Sequence, residues 1–597
     1  MNPFESIRDI QSFTDRYLFL LIGFLLLFIF VVGTRKRPRG KSSGRLATTW
    51  EILSHVGNWA RFPLHIYAVT AIYAALLAAV FAWRFYQIGT MAFAHPDQMI
   101  IILTGTLIGA LLLFWVFLEL FLIKRDKNRF ILGRRRFLLP ITLSLPEKDR
   151  FEHIRVQGRA GTGKTDGFMF PQLIEDASGE CSAVVLDVKS PEVFQSIGGA
   201  WHVRGKKVIL FDPYHPDCPG FEPLAKATDQ ALAQIEETVY GKRNTDANDT
   251  SIWFDLQERR LFRLMCQLVK GYQDPKQCSL PMVYQLALRG VPALEAAVTY
   301  CRDSTLQSEF TNAFQNKQRL TDILSGILNK LDLFSDQSIA AAFSRSDLDL
   351  GLLFREPTLL IIASPHSNPK ARLAASILLR ALMLKVYERP VRTKEDGLPL
   401  FVYLDEFYAL HLPDLADFAN TARSARVGIV TYLQAEGQMT RYKPHEVISI
   451  AVNTKTEICL QGCDQTTCER ISELSDKCLI PDKRVSRSFN RGKTTTISYL
   501  EKLVLTVGEI YNMPLGMALV HIGGLHPIWI KLVSSRKTWG FRQRRGLPVQ
   551  AYRPCTEPLS TPSYRDLDLP GPESFTPSNA SSPGLPGAPV GKDVPGW

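Results

Sequence analysis

Cysteine is scarce, with ten residues in a chain of 597, too few for a disulfide scaffold. Cys459, Cys463, Cys468 and Cys478 cluster but lack the spacing of a zinc ribbon, and Cys459 lies in a strand-like run. They read as buried free thiols rather than metal ligands. No Ser/His/Asp or Cys/His nucleophile arrangement emerges from spacing. The composition of a disordered chain is missing too, since apolar residues make up 46% and charged residues 21%. Nor does one charge sign prevail along the body of the chain. The formal net charge of +12 sits in two stretches: 34–45, with six basic residues and no acid, and 124–136, with seven against one. The remainder sums to zero, so net charge is no argument for nucleic-acid binding. The length excludes a single domain and, equally, more than about four.

Both basic stretches follow apolar runs. Residues 17–32, 62–83 and 99–118 are three candidate membrane spans, the first of marginal length. Acidic residues precede the first run, and a basic cluster replaces a small-residue cleavage site, so an uncleaved anchor is expected rather than a signal peptide. The positive-inside rule places both basic loops in the cytoplasm and the N-terminus outside. Gly105 and Gly109 form a GxxxG pair, read equally as a close-approach site or as glycines tolerated against lipid.

Beyond the anchor, an extended apolar run at 153–156 leads into Gly158-Arg-Ala-Gly161-Thr-Gly163-Lys164-Thr165, followed by a helix-like run at 166–174. This is a phosphate-binding loop in its required strand–loop–helix setting. Gly158, Gly161 and Gly163 let backbone N–H groups wrap phosphates, and the helix N-terminus adds its dipole. Lys164 is expected to reach the β- and γ-phosphates of ATP, and Thr165 to ligate Mg²⁺. A second apolar run, 400–404, ends in Asp405-Glu406. One acid at a strand end holds the metal, here Asp405, while the next, Glu406, orients and deprotonates an attacking water. The pair of motifs predicts an ATPase.

Further strand-like runs lie at 183–188, 207–212, 358–363, 427–433, 457–460 and 518–522. Alternation with helical stretches predicts an α/β fold with a mostly parallel, doubly wound sheet. Between 228 and 349 helical spacing prevails without a convincing strand, which predicts an inserted all-helical subdomain. From 548 to 597 eleven of the 36 prolines accumulate with Ser and Gly, the composition of a disordered tail that either carries a docking peptide or is merely solvated. The expected domains are therefore a membrane anchor at 1–123, a basic juxtamembrane linker at 124–150, a nucleotide-binding domain in two parts at 151–227 and 350–545, the helical insertion at 228–349, and the tail at 546–597.

From about 151 to 539 the chain resembles the type IV secretion coupling proteins of the TraG/TraD family, membrane-anchored RecA-like P-loop ATPases of conjugation. The resemblance is carried by VVLDVKSPEVF (184–194), VILFDPYHPDCPGFEPLA (208–225, with Glu222 where the family has Asn) and ARSARVGIVTYLQAEGQMTRY (422–442). It implies that Gln434 senses the γ-phosphate and that Arg423 is offered in trans to a neighbouring subunit's nucleotide. Arg426 is the alternative finger, and Gln438 receives no role. It further implies a hexameric ring at the bacterial inner membrane that recruits a relaxase–DNA or protein substrate, through the helical insertion, and delivers it to the secretion channel. Two other readings stand beside it: an FtsK-like double-stranded DNA translocase, and a membrane receptor that binds nucleotide without hydrolysing it.

Overall fold

The computed structural model describes residues 128–554, apart from 137–139, 242–248, 272–277, 390–396, 411, 413, 441 and 489–491. The three expected membrane spans and residues 555–597 lie outside the described residues. Among the described residues, no helix is long and apolar enough to cross a membrane.

The strands are β1 (Phe130–Arg136), β2 (Pro140–Leu145), β3 (Ile154–Gln157), β4 (Ser182–Asp187), β5 (Lys207–Phe211), β6 (Thr358–Ala363), β7 (Leu400–Asp405), β8 (Val427–Leu433), β9 (Thr456–Leu460), β10 (Lys477–Ser488), β11 (Gly492–Leu503), β12 (Met517–Ile522) and β13 (Ile528–Lys531). Eleven of them form one sheet in the order β2-β1-β13-β12-β9-β3-β8-β7-β4-β6-β5. From β9 to β5 all neighbours run parallel. The extension through β12, β13, β1 and β2 is antiparallel. In β4, β6, β7 and β8 every residue is buried, as a parallel sheet covered on both faces requires. Alternate side chains feed two separate cores. Val184, Leu186, Leu360, Ile362, Val402 and Leu404 face one. Ala183, Val185, Leu359, Ile361, Phe401 and Tyr403 face the other.

Between β5 and β6 the described chain is helical, with helices Asp229–Tyr240, Asp249–Lys270, Leu280–Thr299, Ser304–Phe314, Lys317–Lys330 and Gln337–Ala342. Thr228, Asp303, Asn316 and Asp336 cap helix N-termini by accepting backbone N–H bonds. Apolar faces, including Phe262, Leu286, Leu294, Phe310 and Ile327, join the core on one face of the sheet. The insertion is therefore packed onto the motor rather than strung beside it.

Two segment assignments need correction. The described part of 124–150 is not a linker: β1 and β2 belong to the sheet. Phe130, Ile131 and Leu132 are buried despite the basic residues around them, and Arg129 pairs with Glu175 at 2.9 Å. Nor does the tail begin at 546. Gly199 lies so close to the chain that a Cβ there would meet the Leu547 carbonyl oxygen at 2.0 Å, and Ala551 is buried. The Tyr552 N–H donates to the Val208 carbonyl of β5 at 2.7 Å.

β10 and β11 pair only with each other in a long hairpin, in register from Lys477↔Leu503 to Ser488↔Gly492. At its base Cys459, Cys463 and Cys468 pack with Ile471, Ile510, Met513 and Leu519 in a small third core, and Cys478 lies opposite Lys502. The Cys463 thiol donates to the Leu460 carbonyl at 3.0 Å.

Candidate active site

β3 lies between β9 and β8, with β7 and β4 beyond, so the loops after β3, β8, β7 and β4 meet at one edge. Ligands of doubly wound folds gather at the carboxyl ends of strands. After β3 the Gly158 N–H donates to the Leu433 carbonyl at 3.2 Å, which continues the β3–β8 ladder into the start of the glycine loop. Residue 158 must lack a side chain because a Cβ would stand 2.5 Å from the Leu460 Cβ. Gly163 has φ +104°, a conformation open to glycine and strained for other residues. The chain then enters a helix at Thr165 that continues to Asp176.

The Lys164 side chain is buried, and its ammonium donates to the carbonyls of Gly158 and Arg159, the second at 3.2 Å. Burial pushes its pKa down, while the carboxylates of Asp405 and Glu406 oppose that shift. Asp405 ends β7 and is 9% exposed. Its carboxyl is pushed up to about 7 by burial and by the charge of Glu406, against Lys164 and Lys189. The Thr165 hydroxyl belongs to the first residue of the helix that follows the glycine loop, at the same sheet edge. A hydroxyl and a buried carboxylate form an all-oxygen donor set, which suits a hard divalent cation such as Mg²⁺. Such a charge would return Asp405 to its anionic form.

Glu406 adopts a left-handed backbone conformation, φ +46° and ψ +37°, which turns it out of β7. Gln434, just beyond β8, donates from Nε2 to Glu406 Oε1 at 2.9 Å. His366, in the loop after β6, donates from Nε2 to Glu406 Oε2. The Tyr408 hydroxyl is also bonded to Glu406 and to Gln438. Burial raises the Glu406 carboxyl, but the bonds from Gln434 and His366 outweigh it and hold the group below its usual range. It is an ionised acceptor at neutral pH.

Gly158, Gly161, Gly163, Lys164, Thr165, Asp405, Glu406 and Gln434 thus share one edge. Arg423 and Arg426 do not: both precede β8, at the amino edge, and the Arg426 carbonyl accepts from Leu400 at the start of β7. Arg426 is tied down, donating to the Gly397 carbonyl at 3.0 Å and to Glu147 at 3.0 Å, and its side chain is 15% exposed. Arg423 is 66% exposed beside Glu152.

Several functional neighbours escaped the sequence reading. Asp187 ends β4, accepts from Lys189 and Val193, and is pushed up to about 6 by burial against those bonds. Gln438, given no role from the sequence, orders the loop after β8 by accepting from the N–H groups of Gln434 and Ala435 at 3.3 and 3.4 Å. Arg155, inside β3, pairs with Glu436 and Glu457 at 2.7 Å each, and Arg470 closes the same network. Asp166 accepts from Ser534, Ser535 and Arg545, so the segment after β13 clamps the helix that starts at Thr165. Position directly after Lys164-Thr165 was the one sequence signal for Asp166. His366 had none beyond its place at a strand end.

The family model for type IV secretory system conjugative DNA transfer matches residues 138–537. Among solved structures, the conjugative coupling protein TrwBΔN70 in its unbound monoclinic form aligns at 18% identity and a TM-score of 0.47, covering 66% of this chain and 87% of that one. TrwB in complex with a non-hydrolysable GTP analogue aligns at 17% and 0.47, covering 68% and 94%. VirB4 of Thermoanaerobacter pseudethanolicus aligns at 13% and 0.42, covering 70% and 99%. No curated protein matches the chain. With the family model spanning the sheet apart from β1, the insertion and every loop of the site, the chain belongs to the type IV secretory system conjugative DNA transfer family.

Proposed function

We propose that the protein is an ATP-driven coupling protein: it recruits a relaxase–DNA or protein substrate and delivers it to a type IV secretion channel during bacterial conjugation. The observation that carries this reading is the meeting of Lys164, Thr165, Asp405, Glu406 and Gln434 at one sheet edge, within a chain of the conjugative transfer family. Lys164 and the glycine-loop N–H groups bind and orient the β- and γ-phosphates. Thr165 and Asp405 would hold Mg²⁺, which when bound draws charge off the phosphate oxygens. Glu406 orients the attacking water and takes its proton on a carboxylate oxygen. Gln434, bonded to Glu406, links the γ-phosphate position to β8.

The site needs a further cation for the charge of the transferring phosphoryl group. The proposed finger is Arg423, offered in trans to a neighbouring subunit: its pairing with Glu152 is at the surface, with the side chain 66% exposed, whereas Arg426 is largely covered. This supports a ring, which by family resemblance is a hexamer. The apolar runs at 17–32, 62–83 and 99–118, with their basic flanks, support an inner-membrane anchor and a cytoplasmic ATPase. The helical insertion is the proposed substrate receptor.

The test is ATP turnover by the purified protein with and without single-stranded DNA. Turnover stimulated by single strands and abolished in Lys164→Ala supports the reading. Preferential stimulation by duplex would favour an FtsK-like translocase, and no turnover under any nucleic acid would leave a receptor.

A further inference from the structure

Glu406 is gripped from two sides. Gln434, after β8, holds Oε1, and His366, after β6, holds Oε2. β8 and β6 lie on opposite sides of β7 in the sheet. With the Tyr408 hydroxyl as a further partner, a carboxylate that has donors on both oxygens cannot rotate about its terminal torsion without losing a bond, so its plane is set. The remaining lone pairs are left for a water.

The loop that carries His366 is anchored at the end of β4 and, beyond that, at the helical insertion. The Ser364 N–H donates to the Asp187 carbonyl at 2.9 Å. Asn368 caps helix Pro369–Tyr387, accepting from Lys370 and Ala371. Its Nδ2 donates to the Tyr214 hydroxyl at 2.7 Å, which in turn donates to Asp336 at 2.8 Å. Lys370 pairs with Asp332 at 3.0 Å and donates to Ser335 at 2.5 Å. Asp332, Ser335 and Asp336 belong to the helical insertion, and Asp336 caps one of its helices.

We propose that His366 is a positioning residue for hydrolysis: with Gln434 it fixes the plane of the Glu406 carboxylate, and its own place is set by contacts of the 364–370 loop with the helical insertion. The proposal rests on the reading of Glu406 as the water-orienting carboxylate. It gives the proposed substrate receptor a short covalent and hydrogen-bonded route to the hydrolytic group. The relevant displacement is small, since a shift on the order of 1 Å in a catalytic group costs up to ~100-fold in rate.

The experiment is steady-state ATP hydrolysis by the full-length protein in lipid nanodiscs, with folding checked by thermal unfolding. His366→Ala should lower kcat by roughly 10- to 100-fold with KM for ATP within about twofold. His366→Gln, which keeps an N–H donor, should recover most of that loss. Tyr214→Phe should lower kcat a few-fold in the parent protein and not at all in the His366→Ala background, because its effect passes through His366. A kcat for His366→Ala within twofold of the parent, or a changed KM with unchanged kcat, overturns the positioning role. A silent Tyr214→Phe, or one additive with His366→Ala, overturns the link to the insertion. If Glu406→Gln abolishes turnover while His366→Ala does not, this inference fails and the proposed function stands. Absence of turnover in the parent overturns both.

Discussion

Arg150 and Asp176 form an ion pair with no exposed surface on either side chain, and breaking it should be among the costliest single changes in the protein. The guanidinium donates to Asp176 Oδ1 at 2.8 Å and Oδ2 at 2.9 Å, to the Asn128 carbonyl at 2.7 Å and to the Tyr403 hydroxyl at 2.8 Å. It also lies over the Phe401 ring, 3.2 Å from the centroid. Burial alone would lower its pKa, but Asp176 outweighs burial and keeps it charged. Asp176 ends the helix that begins at Thr165, so the pair fastens that helix to β7 through Tyr403. Arg150→Met preserves much of the volume and strands a carboxylate that keeps only Gln172 and Tyr403 as partners. Removing one member of a buried pair costs about 3–5 kcal/mol. At roughly 2–4 °C per kcal/mol for a large domain, calorimetry should show the Tm falling by about 6–20 °C. The double variant Arg150→Met/Asp176→Leu should recover a large part of that loss, giving a coupling energy of about 2 kcal/mol or more. A single variant within about 1 kcal/mol of the parent, or a double variant equal to the sum of the singles, would refute the argument.

Three other outcomes are expected. Gly163→Ala forces a side chain into φ +104° with Leu532 3.2 Å from the new Cβ, and should weaken binding of a fluorescent ATP analogue by about 1–3 kcal/mol; an unchanged Kd contradicts this. Asp187 titrates near 6 in the folded protein against an ordinary 3.8, so the native state keeps its proton longer than the unfolded chain, and stability falls as pH rises from about 4 through 6. That loss amounts to about 3 kcal/mol, and the Tm of Asp187→Asn relative to the parent should rise between pH 5 and 7.5; parallel Tm curves would show that Asp187 contributes nothing. The bond with Cys463, together with burial, pushes the Cys459 thiol up, and burial pushes Cys468 to about 12, so maleimide should label them slowly until urea is added and chelators should leave Tm unchanged; fast labelling of the folded protein would contradict the packing.

What could be seen without a structure was whatever chemistry confines to a few consecutive residues. The glycine loop needs its spacing for backbone reasons, and Asp405-Glu406 stands out because two carboxylates close a wholly apolar run. Their convergence follows from parallel strands and short connections. His366 was invisible because it is forty positions from Glu406 and alone in its segment. β1 was hidden by the arginines in and beside it: Arg134, Arg135 and Arg136 lie within the strand, and Arg129 just before it is met by Glu175, 46 residues away in sequence. The β10–β11 hairpin gave no signal either: rich in Ser, Thr, Lys and Arg, it has little of the apolar alternation that marks a half-buried strand. Which side of the sheet Arg423 occupies depended on strand direction, which spacing alone does not reveal.

The contact between Tyr552 and Val208 has a consequence for handling the protein. β5 ends the sheet, and beyond it a row of backbone groups would be open to pairing with any stray strand. The 546–552 segment covers part of that border, with Lys207 seated 4.6 Å from the Tyr552 ring centroid. A truncation at residue 545, chosen on composition to discard a proline-rich tail, would uncover the border and favour self-association. Cutting after 554 would leave it covered.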